Sequence, residues 1–283
     1  MVSTPLLRRS LGVRVMSLPT APSFAHSLLV SRDPATIEQI TDAMARLAIA
    51  TEVCVDVASA RHVLHTKKFD AVTVDFGLSE QAPGILGEMR ISPSNRTAPA
   101  IAITRSKSDL ALAYCAGSNF TLERPLSADS LSRTLTAGYG WVVRERRRYF
   151  RCRVRTRIVM RRVDMRQAQS HTVNISEGGM EIAYVPAKLV PKMRILVEFM
   201  LPGRTENFRA VCETCWRGER GRAGLRFLLL PLEQRCDLQE WLAERLEESL
   251  PESIAWRFRE ANDRFRSGPV AVPPPPFLSG AIS

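Results

Sequence analysis

Arg151-Cys152-Arg153-Val154-Arg155-Thr156-Arg157-Ile158 alternates strictly between arginine and a smaller, less polar residue. Successive side chains of an extended strand point to opposite faces, so this period of two predicts a half-buried strand with one basic face. Downstream, Ser170 to Ile175, Gly179 to Val185, Met193 to Leu201, Phe208 to Arg217 and Ala223 to Leu229 are further strand candidates separated by turn residues. Six consecutive strands of this kind predict an all-β, six-stranded antiparallel barrel or sandwich. Pro231 then opens a helical pattern in which Leu232, Leu238, Trp241, Leu242 and Leu246 form an apolar stripe able to close one barrel end. The barrel and its closing helix occupy 152–250.

Upstream the period changes. Ser27 to Val30, Val53 to Val57, Ala71 to Val74 and Ala100 to Ile103 are short apolar runs, and helical spacing lies between them. After Pro34, for example, Ile37, Ile40, Met44 and Leu47 recur every three or four residues. Strands alternating with helices pair in parallel with helices on both faces, which predicts a doubly wound α/β domain over 25–137. Residues 1–24 mix Pro, Ser, Thr and Arg without periodicity and are expected to be a disordered lead-in. Residues 138–151 are expected to be a linker, and 251–283, with Pro273 to Pro276 in succession, a mostly disordered tail.

Composition narrows the function classes. With 45% hydrophobic and 24% charged residues, the 283-residue chain is of ordinary globular make-up for two domains. No uninterrupted apolar run approaches the roughly 18 residues of a membrane helix, and Arg14 and Pro19 break the segment a signal peptide would need. The expected location is the cytoplasm, and the six cysteines, scattered without framework spacing, are expected to be reduced thiols.

The net charge of +11 is concentrated in one segment: between Arg144 and Arg166, 11 arginines face only Glu145 and Asp164. From Ala25 to Ala137, 11 basic residues meet 12 acidic ones. A basic segment this dense implies an anionic partner: phosphate on nucleic acid, a nucleotide or a membrane surface. Nucleic acid is the alternative to a nucleotide, but nothing after residue 144 reads as a helix-turn-helix, and few aromatics interleave with the arginines. Cys212-Glu213-Thr214-Cys215 is a CxxC, yet inside a strand its two thiols face opposite ways, and His26, His62, His65 and His171 are dispersed; no metal site is expected. No P-loop, dinucleotide glycine fingerprint or nucleophile elbow is present, so no enzyme is expected.

Particular residues at the strand ends of the first half resemble the receiver domain of bacterial response regulators, a flavodoxin-like fold. Phe69-Asp70-Ala71-Val72-Thr73-Val74-Asp75 places Asp75 at the family's phosphoacceptor position. Thr104 ends the next strand at the switch Ser/Thr position, and Arg124-Pro125 stands where Lys-Pro is usual. The paired acidic residues that end the family's first strand are here Ser31 and Arg32, and Asp33 lies at a position that normally points elsewhere. Those carboxylates hold the Mg²⁺ that aspartyl phosphorylation requires. The resemblance with this departure implies a pseudo-receiver that keeps the fold and serves in partner docking or homodimerisation.

In the second half, Arg147-Arg148-Tyr149-Phe150-Arg151 has the form RxxxR, and Asn174-Ile175-Ser176-Glu177-Gly178-Gly179 the form [DN]xSxxG. Their order, separation and β context resemble the PilZ domain, as does Ala223-Gly224-Leu225-Arg226-Phe227 with the family's late Gly-x-x-Phe strand. The resemblance implies a cyclic di-GMP effector acting on a downstream protein, with no cofactor beyond that ligand. Arg147 and Arg151 are expected to grip guanine edges and phosphates, with Arg148 as a further contact, because a guanidinium fork matches guanine O6/N7 and phosphate. Asn174 is expected on a guanine edge, Ser176 on a phosphate or base, and Gly178 and Gly179 in the turn, with Gly179 admitting close approach of the ligand. Asparagine in place of aspartate removes a carboxylate from guanine's N1 and N2 donors. Because the motif arginines fall in the linker, ligand binding is expected to reorient the two domains.

Overall fold

A computed structural model describes residues 23–107, 109–162, 165–184, 189–218 and 221–267. It divides into two compact units, one of residues up to Glu145 together with those from Pro251 onward, the other of Arg146–Leu250.

In the first unit, β1 (Ala25–Val30), β2 (Ile49–Cys54), β3 (Ala71–Asp75), β4 (Ala100–Thr104) and β5 (Phe120–Glu123) form a parallel sheet of order β2-β1-β3-β4-β5. The helices α1 (Pro34–Arg46), α2 (Val57–Thr66), α3 (Ala82–Ile91), α4 (Asp109–Cys115) and α5 (Ala128–Tyr149) alternate with the strands. β3 and β4 are buried along their whole length, as continuous apolar runs require. This is the doubly wound, receiver-type architecture that the alternation predicts.

Two strands depart from expectation. β2 lies earlier than Val53 to Val57 because the Asp56 side chain accepts a hydrogen bond from Ser59 N at 2.7 Å and caps α2, drawing Val57 into the helix. β5 is an additional edge strand of only four residues, too short to carry a period.

The linker expected over 138–151 is helical as far as Tyr149. α5 continues because Leu131, Leu135, Tyr139, Val142 and Val143 extend one apolar stripe through the supposed boundary. Glu145, buried at that end, accepts hydrogen bonds from Lys68 Nζ and, at 3.0 Å, from Thr97 Oγ1.

The second unit contains β6 (Cys152–Arg153), β7 (Arg157–Arg162), β8 (Met165–Ser176), β9 (Gly179–Ala183), β10 (Arg194–Met200), β11 (Asn207–Arg217), β12 (Ala223–Leu229) and α6 (Leu232–Glu248). The antiparallel order β8-β7-β10-β11-β12-β9 closes through the β8–β9 pairing into a six-stranded barrel, with β6 added on β8. The opening octapeptide is therefore not one strand. Cys152 pairs with Ile175 and Arg157 with His171, and the odd residue between is accommodated where Thr172 bonds Thr156 and Val154. The alternation survives the break: Arg153, Arg155 and Arg157 are exposed, whereas Cys152 and Val154 pack against the core.

Inside the barrel Phe199 stacks on Phe208 and Phe227, with ring centroids 5.2 and 6.2 Å apart. Leu238, Trp241 and Leu242 of α6 join that core, each contributing about 1.5–3 kcal/mol by burial. The Trp241 indole donates to Pro202 O at 2.9 Å, and Arg204 pairs with Asp237 and Glu244 of the same helix.

The tail expected over 251–283 is corrected in part by α7 (Glu252–Ser267), which belongs to the first unit. Ile254, Ala255, Phe258 and Ala261 recur on one helical face and are buried, and the Phe258 and Tyr139 rings flank Phe24 at centroid distances of 6.5 and 5.7 Å. Residues 1–22 of the expected lead-in, and Pro273 to Pro276, lie outside the described residues.

Candidate functional site

The carboxyl ends of β1, β3 and β5 assemble the first cluster. Asp75, 2% exposed, directs Oδ1 to Gly77 N at 2.9 Å, and its Oδ2 accepts from Ser31 Oγ at 2.8 Å and from Arg124 at 2.7 Å. The other arm of the Arg124 guanidinium donates to Asp33 Oδ2 at 3.0 Å. Asp33, expected to point elsewhere, thus faces the site while capping α1 through Thr36. The Thr36 hydroxyl and then Arg124 hold its carboxyl below the usual range. Burial weakens Arg124 as a cation, but its bonds to Asp33 and Asp75 outweigh this and raise its pKa.

The residue opposing a metal is Arg124, bonded to both carboxylates, whereas Arg32 is exposed. A guanidinium between the two carboxylates, with Ser31 in an acidic position, does not fit Mg²⁺ coordination. Thr104 is buried, its hydroxyl 3.4 Å from Leu122 O.

The second cluster lies on the outer barrel face and is built by strand register. Arg153 pairs with Asn174, Asn174 with Glu181, Glu181 with Gly224, and Gly224 with Trp216, a row running through β6, β8, β9, β12 and β11. In the adjoining row Ser176 pairs with Gly179, Gly179 with Arg226, and Arg226 with Glu213. Side chains of both rows stand on the outside, because the residues alternating with them, Ile175, Met180, Ile182 and Leu225, are core.

Of the expected ligand residues, Asn174 and Ser176 share this face. Asn174 donates from Nδ2 to Glu181 Oε2 at 2.7 Å, and its Oδ1 is buried with no partner among the described residues. The Ser176 hydroxyl donates to Gly179 O at 3.1 Å. Gly178 is exposed, and its carbonyl accepts from Phe227 N at 2.9 Å. The close approach at Gly179 is made by β12, since a Cβ there would lie 2.0 Å from Leu225 O.

The arginines divide. Arg148 and Arg151 are exposed, whereas Arg147 is half-buried and reaches the carbonyl of Gln239 on α6 at 3.4 Å. Gln239 in turn donates to Glu177 of the motif turn at 3.5 Å, so α6 links the two motifs. Sequence reasoning missed Arg153, Glu181, Trp216 and Arg226 as neighbours of the motif; the alternation alone places Arg153 on the basic face, but only register brings the other three to it. Burial pushes the Cys212 thiol up to about 12, whereas Cys215 is exposed, as two thiols on opposite strand faces should be. Among the described residues no group of three or more His, Cys, Asp and Glu is placed to hold a metal, and no helix is long and apolar enough to cross a membrane.

Residues 145–244 match the family model of the PilZ domain. No curated protein matches the chain. Among solved structures the chain is similar to the receiver domain of a sensor histidine kinase from Pseudomonas aeruginosa, solved with magnesium in its active-site cleft. The identity is 24% over 41% of this chain and 98% of that one, with a TM-score of 0.37. A CheY-like receiver domain from Methylobacillus flagellatus gives 25%, 41%, 98% and 0.37 respectively. An inhibitor of motility from Bacillus subtilis is similar at 12% identity over 37% of this chain and 53% of its own length, with a TM-score of 0.33. The PilZ family is one of cyclic di-GMP-binding signalling domains. Following a unit of receiver-type fold, residues 145–244 of this chain are a PilZ domain.

Proposed function

We propose that the chain is a cytoplasmic, non-catalytic effector that binds cyclic di-GMP on the outer barrel face and passes the signal to a downstream protein. The observation that carries this reading is the register that sets the exposed Arg153 against Asn174, with Arg151 and Ser176 alongside. Arginine forks next to an amide and a hydroxyl supply the donors and acceptors that a guanine edge and a phosphodiester require. Arg147, Arg148, Arg151, Asn174 and Ser176 are the assigned ligand residues, with Gly178 and Gly179 shaping the turn.

The division between the units falls between Glu145 and Arg146, inside α5. Glu145 is fastened to Lys68 and Thr97 in the first unit, and Arg147 to Gln239 in the second. A ligand that recruits Arg147 acts two residues from that fastening, and the expected output is a reorientation of the two units. The receiver-type unit serves as a docking or homodimerisation module, with Arg124 standing in for a divalent cation.

Calorimetry of the intact chain with cyclic di-GMP tests the reading. Saturable heat at micromolar ligand is expected. No heat, together with DNA binding insensitive to the dinucleotide, would favour a nucleic-acid partner for the arginine segment.

A further inference from the structure

The motif carries asparagine where aspartate would supply a carboxylate, yet a carboxylate stands beside it. Glu181 lies opposite Asn174 in the β8–β9 ladder, and its side chain is 18% exposed. Its Oε2 accepts from Asn174 Nδ2 at 2.7 Å and its Oε1 from Arg222 at 3.0 Å. Each carboxylate oxygen can accept a second bond. On the side away from Asn174, Glu181 pairs with Gly224, and the Trp216 indole lies where a Gly224 Cβ would be, its Nε1 2.1 Å from that point. Trp216 is nonetheless 44% exposed. An aromatic ring backed by glycine, beside a fixed carboxylate and the unpartnered Asn174 Oδ1, forms a shelf with an acceptor-rich edge.

Resting on the cyclic di-GMP reading above, we propose that Glu181 reads the Watson–Crick edge of one guanine, with the base lying on Trp216. Guanine presents N1–H and N2–H₂ side by side, and a carboxylate accepts both, in the geometry it uses for a guanidinium fork. Adenine offers an unprotonated N1 there and is repelled. Asn174 acts as a positioning residue: its amide holds Glu181. The site thus recovers from a neighbouring strand the carboxylate that its motif lacks.

The test compares cyclic di-GMP with cyclic di-IMP, which retains N1–H but lacks the 2-amino group, by calorimetry on the intact chain. Wild type is expected to prefer cyclic di-GMP by about tenfold or more, since a hydrogen bond to a charged acceptor is lost. Glu181→Gln keeps the size and the Asn174 partner but removes the charge, and the preference should shrink towards one. Trp216→Ala should weaken both ligands by about tenfold, and Trp216→Phe should abolish ligand-induced quenching of indole fluorescence while keeping most of the affinity. An undiminished preference in Glu181→Gln, with tight binding in wild type, overturns the assignment and leaves the cyclic di-GMP reading standing. Absence of binding in wild type overturns both.

Discussion

Two sites in this chain are rich in charge, and they use it in opposite ways. At the carboxyl ends of β1, β3 and β5, Arg124 bonds both Asp33 and Asp75, so the two carboxylates already share one cation. On the barrel, Arg148, Arg151, Arg153, Arg155 and Arg157 are exposed, and none of the ion pairs among the described residues engages them. Internal pairing removes a site's capacity for a ligand, whereas exposed like charges keep it. The exposed charge that could meet an anion thus lies on the barrel rather than beside Asp75.

The contrast can be broken most forcefully at the barrel. Removing both motif arginines in Arg147→Ala/Arg151→Ala should weaken cyclic di-GMP about 1000-fold, or about 4 kcal/mol, at about 2 kcal/mol per charged contact. Unchanged calorimetric affinity would separate the ligand from the motif. Next in size is Gly179→Ala. A methyl group forced against Leu225 O must displace β12, and a loss of about 3 kcal/mol in urea unfolding is expected.

In the receiver-type unit, Arg124→Gln leaves the nearly buried Asp75 without its cation and should cost about 2 kcal/mol. Mg²⁺ should then restore about 1 kcal/mol in the variant and leave wild type unmoved in thermal unfolding. Equal stabilisation of wild type would show that Arg124 yields to the metal. The smallest effect concerns pH. Because the Asp33 carboxyl titrates below its unfolded value, its contribution is complete above about pH 4 and is lost as pH falls through the lowered pKa. Asp33→Asn should flatten that acid limb slightly and leave neutral stability almost unaltered.

Much of this was legible in one dimension. The period of two after Arg151 and the alternation of apolar runs before Ala137 both reflect burial repeated along an element, which a single strand or helix shows by itself. Arg147, Arg151, Asn174 and Ser176 were singled out differently, by the order and spacing of two motifs that resemble a family rather than by any burial pattern. Glu181 and Trp216 were not, because they meet Asn174 and Gly224 only across strands, and register is fixed by the closed barrel rather than by either segment. Asp56 hid the start of α2 inside an apolar run by acting as a cap. The tail expected from residue 251 begins instead with Pro251 leading into α7, in keeping with proline's tolerance at helix starts.

That last helix has a consequence for how the chain is made. Phe258 covers Phe24, so the receiver-type unit is completed by residues that leave the ribosome only after the whole barrel has been synthesised. The barrel is continuous from Arg146 to Leu250 and can close on its own as it emerges, whereas the unit begun first must wait with Phe24 and Tyr139 uncovered. A chain ending at Leu250 would never cover them. Of the two units, the receiver-type one enters translation first and is finished second.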